Sequence, residues 1–122
     1  MFCAKALKGE TIEIWGDGTV ARDFFYVEDA VDAIMRAIEC ERAEGEINVG
    51  SGIATSLNML VTAIRVVLGK EPHVNYLPGR SFDVPVNVLD ITRAADVLGW
   101  KPRVGLIEGI AKTLNWQKEM AI

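Results

Sequence analysis

The stretch Glu13-Ile14-Trp15-Gly16-Asp17-Gly18-Thr19-Val20-Ala21, EIWGDGTVA, holds a strand-like run followed by G-x-G-x-x-A, nearly the glycine fingerprint of a dinucleotide-binding loop. Such a loop works because its glycines let backbone approach a phosphate while a helix begins at once, aiming free N–H groups and a positive dipole end at the anion. Here the continuation Arg22-Asp23-Phe24-Phe25-Tyr26-Val27 is aromatic and β-branched, a strand by composition. No acidic residue ends a second strand about 20 residues on, where a cofactor ribose would need it. Gly16 to Gly18 therefore reads as a turn joining two extended segments, 11–15 and 23–27.

Working outward, Val31, Ile34, Met35 and Ile38 recur at helical spacing behind Glu28 and Asp29, giving an amphipathic helix. Glu28, Asp29 and Asp32 read as its solvated, dipole-favoured start. Glu46-Ile47-Asn48-Val49 fits a short strand closed by Gly50-Ser51-Gly52. Ser56 is placed to cap a helix with the stripe Leu57, Leu60, Val61, Ile64 and Leu68, stopped by Gly69. A strand over 73–76, a loop marked by Pro78, Gly79 and Pro85, a short helix after Asp90 ended by Gly99, and a last helix over about 106–119 complete the chain. The order predicts a mixed α/β unit with few short strands and four helices, whose sheet has open edges.

At 122 residues the chain is read as one domain, 1–122. Thirteen Lys and Arg against 17 Asp and Glu give a net charge of −4, so no broad basic surface exists for nucleic acid or an anionic membrane. The apolar runs are too short to span a bilayer and the N-terminus lacks the build of a signal peptide, so a soluble cytoplasmic protein is expected. Cys3 and Cys40 match no metal-ligand spacing and read as packing residues, as does Trp100. His73, the single histidine, has no catalytic partner nearby in sequence. Hydrophobic residues make up 50% of the chain with 11 glycines besides, above the usual share. That excess predicts apolar surface covered by a second subunit or by a further domain.

In so acidic a chain, Arg22 just beyond the turn and Arg80 in Leu77-Pro78-Gly79-Arg80-Ser81-Phe82-Asp83 stand out. A planar fork of five donors and a charge that never titrates suit Arg to a diphosphate, and Asp83 is placed to accept from hydroxyls. The competing reading is that each arginine pairs only with its own neighbour, Asp23 or Asp83.

Taken in order, GDGTVARDFFYVEDAVDAI (16–34), GEINVGSGIATSLNML (45–60), PGRSFDVPVNVLDITRAADVLGWKP (78–102) and LIEGIAKTLNW (106–116) resemble the C-terminal part of NAD-dependent nucleotide-sugar epimerases and dehydratases, the extended short-chain dehydrogenase/reductase family typified by UDP-glucose 4-epimerase. The resemblance runs from Phe2 to Trp116. It implies that Arg22 and Arg80 reach the nucleotide diphosphate, that Asp83 meets the ribose, and that the strand from Glu13 to Trp15 lies along the base and holds it through backbone groups. It also implies that Asn48, Val49 and Gly50 end a strand of a large parallel sheet.

The family's Rossmann half, with its cofactor loop and Tyr-x-x-x-Lys pair, has no counterpart here. Tyr26 is followed four residues on by Ala30, and Tyr76 by Arg80 with Pro78 and Gly79 between. The expectation is a substrate-binding part, a fragment without catalytic residues or its own cofactor, NAD being bound by the full-length family. Its expected partners are a UDP- or dTDP-sugar and either the missing half or a second copy. The alternative is a non-catalytic interaction or oligomerisation module derived from that fold.

Overall fold

The computed structural model describes residues 1–120. Helix α1 (Phe2–Lys8) stops at Gly9, whose φ of 71° is the left-handed conformation that glycine reaches without strain. Strand β1 (Ile12–Trp15) buries Ile12 and Ile14 and turns Glu13 and Trp15 outward, the period-2 alternation of a half-buried strand. After the turn come β2 (Ala21–Asp23), α2 (Val27–Glu39), β3 (Ala54–Ser56) and α3 (Leu57–Leu68). The chain ends with β4 (Val74–Leu77), β5 (Val86–Asn87), α4 (Thr92–Leu98) and α5 (Leu106–Met120). The result is mixed α/β, as expected.

Two small sheets organise these elements. β1 pairs in parallel with β4, Ile12 opposite Val74 through Trp15 opposite Leu77. β2 lies between β3, antiparallel, and β5, parallel. The turn at 16–18 thus carries the chain from one sheet to the other. One core cluster joins α1, β1, α3 and α5 through Ala6, Ile12, Ile14, Ile64 and Leu114. A second joins α2 and α4 around Trp100, which is fully buried, meets Phe25 edge-on, and donates from Nε1 to the Asp29 carbonyl at 3.0 Å. Ser56 caps α3 as predicted, accepting from Met59 N–H at 3.1 Å.

Several expectations are corrected. Residues 46–49 form no ladder; the strand on that side is β3, and Ile47 and Val49 instead pack on the Trp100 cluster. A strand needs a neighbour for its N–H and C=O groups, and 46–49 lies beside no described strand that pairs with it. The aromatic run leaves its ladder after Asp23, because α2 begins at Val27. There are five helices among the described residues, α1 being too short for its periodicity to stand out. Asp29 is not solvated: it is 4% exposed and its Oδ2 accepts from Arg103 N–H at 3.1 Å and Val104 N–H at 3.0 Å.

The apolar stripe of α2 faces outward. The helix seats its small face, Ala33 with Ala37, against the α4 cluster, since small side chains allow close approach. Val31, Ile34, Met35 and Ile38 are left at least half exposed. This is the apolar surface that the composition predicts.

Candidate functional site

The turn that carries Trp15 to Arg22 is built rather than loose. Asp17 Oδ1 accepts from Thr19 N–H and Oγ1–H, and Asn58 of α3 donates from Nδ2 to the Asp17 carbonyl at 2.9 Å. Tyr76 of β4 donates its hydroxyl to Asn58 Oδ1 at 2.7 Å, so β4 and α3 are both tied to the turn. Gly18 is required here: its φ is 82° and a Cβ would collide with Asn58 Oδ1.

Strand β1 offers one edge to β4 and leaves the other without a strand partner among the described residues. Ile12 N–H donates to His73 O and Gly16 N–H to Leu77 O, both at 2.8 Å. Because successive peptide groups along a strand point to opposite sides, the N–H and C=O of Glu13 and Trp15 lie on the open edge.

Arg22 sits half-buried on β2, and its Nη1 donates to the carbonyls of Ala21 at 2.8 Å and Val84 at 2.6 Å. It does not pair with Asp23. That carboxylate faces the other way and accepts from Ser51 N–H and Oγ–H, both at 2.7 Å, from Gly52 N–H at 3.0 Å and from Leu89 N–H at 3.3 Å. Burial alone would raise the Asp23 pKa, but the donors of Ser51, Gly52 and Leu89 outweigh it and hold the carboxyl below its ordinary value. Asp23 therefore ties β2, the 50–52 turn and the exit of β5 into one unit that carries Arg22.

Arg80 does meet its local acid, Nε to Asp83 Oδ2 at 3.0 Å and Nη2 to Oδ1 at 3.2 Å. Its guanidinium also lies 5.2 Å from the ring centre of Trp15 and 5.1 Å from that of Phe82. Half of the competing reading from sequence thus holds, for Arg80 and not for Arg22. Even so, Glu13, Trp15, Arg22, Arg80 and Asp83 all line one cavity of about 400 Å³, a volume usual for small-molecule sites. The structure brings the five predicted residues together. Sequence reasoning missed Lys5, which lines the same cavity from α1. A smaller cavity of about 140 Å³ between Phe24 and the start of α5 has no charged side chain and suits no phosphate.

The 16–18 turn runs into a strand and not into a helix, so its peptides do not converge as a dinucleotide phosphate cradle. The described residues do not fit NAD at that turn. They contain no group of His, Cys, Asp and Glu arranged to hold a metal, and no helix long and apolar enough to cross a membrane.

Comparison with known proteins gives consistent matches. Residues 1–50 match the model of the NAD dependent epimerase/dehydratase family. The chain is 42% identical over 116 residues to a UDP-glucose 4-epimerase of Mycolicibacterium smegmatis, covering 95% of this chain and 37% of that protein. It is 37% identical over 113 residues to a dTDP-4-dehydro-6-deoxy-D-allose reductase of Streptomyces bikiniensis, covering 93% and 34%. Among solved structures, MoeE5 in complex with UDP-glucuronic acid and NAD superposes with a TM-score of 0.91 at 36% identity, over 98% of this chain and 40% of that one. The chain spans a little over a third of the length of these relatives.

Proposed function

We propose that this chain, a relative of the NAD-dependent nucleotide-sugar epimerases and dehydratases, is the part of such an enzyme that grips the nucleotide diphosphate of the substrate. The observation that carries the proposal is the convergence of Arg22 and Arg80, 58 positions apart in sequence, on one cavity beside Trp15 and the open edge of β1. A fork of guanidinium donors on each side suits a pyrophosphate. Arg80, already flanked by two aromatic rings, turns part of its donor set from Asp83 to the phosphate, which leaves Asp83 oxygens to accept from ribose hydroxyls.

The open edge supplies the base contact. The C=O of Glu13 and the N–H of Trp15 are adjacent on it and match a base that shows N–H beside C=O, as uracil and thymine do.

The chain's own residues bind and orient; none is assigned a proton or hydride step. NAD, held in the full-length relatives, supplies the hydride chemistry when bound. The exposed stripe of α2 and the unpaired run 46–49 form the seam on which the cofactor-binding part of the enzyme packs, and alone the chain is inactive. The same stripe favours one second reading, a self-associating module without catalysis. Calorimetric titration of the chain with UDP and dTDP tests the choice: saturable binding lost in Arg22→Ala and in Arg80→Ala supports the grip. A folded chain that ignores both nucleotides and stays dimeric at every concentration supports the module.

A further inference from the structure

We infer that Lys5 is a third phosphate ligand, one that supplies the net positive charge of the cavity; this rests on the reading of the cavity as a diphosphate site. The charged side chains lining it are Lys5, Arg22 and Arg80 against Glu13 and Asp83. Without Lys5 the two signs balance. With it the side chains that line the cavity carry one excess positive charge, which an anionic ligand needs to offset the water it gives up.

Lys5 is also the uncommitted cation. Arg80 is paired with Asp83 and Arg22 donates to two backbone carbonyls, whereas Lys5 makes no ion pair among the described residues. A flexible stem ending in a compact ammonium can follow the phosphates without breaking a bond first. The helix that presents it is fixed: α1 ends in a left-handed Gly9 and its Ala6 is buried against α3 and α5. Lys8, three residues on in the same last turn, is exposed and lies outside the cavity, so it shares the helix and the charge but not the site.

The test is calorimetric titration of the full chain with UDP and with uridine, comparing wild type, Lys5→Gln, Lys5→Arg and Lys8→Gln. The expected result is about a tenfold loss of UDP affinity in Lys5→Gln, worth one charge-assisted contact. Lys5→Arg should recover most of it, Lys8→Gln should stay within about twofold of wild type, and uridine should not discriminate among the four. Equal UDP affinity in Lys5→Gln and Lys8→Gln overturns the role of Lys5 while the arginine grip stands. Loss of affinity for uridine as well as UDP overturns it too, by showing a general effect on the fold. Wild-type chain that does not bind UDP, or binds it equally well after Arg22→Ala, removes the reading on which the inference rests.

Discussion

Replacing Asp23 should unfasten the unit that carries Arg22. Its carboxylate accepts four hydrogen bonds from two segments, the backbone N–H groups of Ser51, Gly52 and Leu89 and the hydroxyl of Ser51. Asp23→Ala leaves three peptide donors in a half-buried position; at about 1 kcal/mol for each orphaned donor the loss is roughly 3 kcal/mol. Asp23→Asn keeps the shape and one acceptor oxygen but loses the charge, and should cost about half as much. In urea at neutral pH, with a slope of about 1.3 kcal/mol per M for a chain of this size, the Ala variant should unfold about 2 M earlier than wild type. The pH dependence has a definite sign. Because the folded carboxyl lies below its ordinary value, its stabilisation is present above the unfolded pKa of about 3.9 and is lost as pH falls through the folded pKa. The gap between wild type and Asp23→Asn should therefore be widest near neutral pH and close progressively in acid. A midpoint for Asp23→Ala within about 0.3 M of wild type, or a gap to Asp23→Asn that widens in acid, would refute the reasoning.

The other predictions concern the turn and the open helix face. Gly18→Ala should destabilise by about 2–3 kcal/mol, because its backbone needs a positive φ and its Cβ would collide with Asn58, whereas Tyr76→Phe should cost only about 1 kcal/mol; thermal melts followed by circular dichroism would rank them. Ile34→Glu with Ile38→Glu should leave the melting of the isolated chain nearly unchanged, within about 0.5 kcal/mol per site, since both are more than half exposed. The same pair should lower any self-association seen by sedimentation, and should block association with a co-expressed cofactor-binding part of a relative.

How much of this was legible in the sequence depends on whether a feature is local. The alternation at Ile12 to Trp15, the caps at Ser56, Gly69 and Gly99, and the odd placement of two arginines in an acidic chain all report themselves within a few residues, and each appears in the structure. Asp23 and Asp29 do not. Their donors lie 28 to 75 positions away, so an acid beside an arginine or at a helix start looks like a surface charge until the distant segment is in place. The stripe of α2 shows the limit most clearly: periodicity identifies which face is apolar, but not whether anything covers it, and here Ala33 and not Ile34 faces the core. The expected strand at 46–49 failed for a related reason, since pairing depends on an available edge, and β composition alone does not supply one. Lys5 escaped notice because a helix of seven residues has too few turns to show a face.

The most direct test of the central claim is a crystal structure of the chain with UDP. The account predicts guanidinium nitrogens of both Arg22 and Arg80 within hydrogen-bond distance of the same diphosphate, with the base along the backbone of Glu13 and Trp15. UDP held elsewhere, or held in the cavity while the forked bond between Arg80 and Asp83 stays intact and no phosphate oxygen meets Arg22, would contradict it.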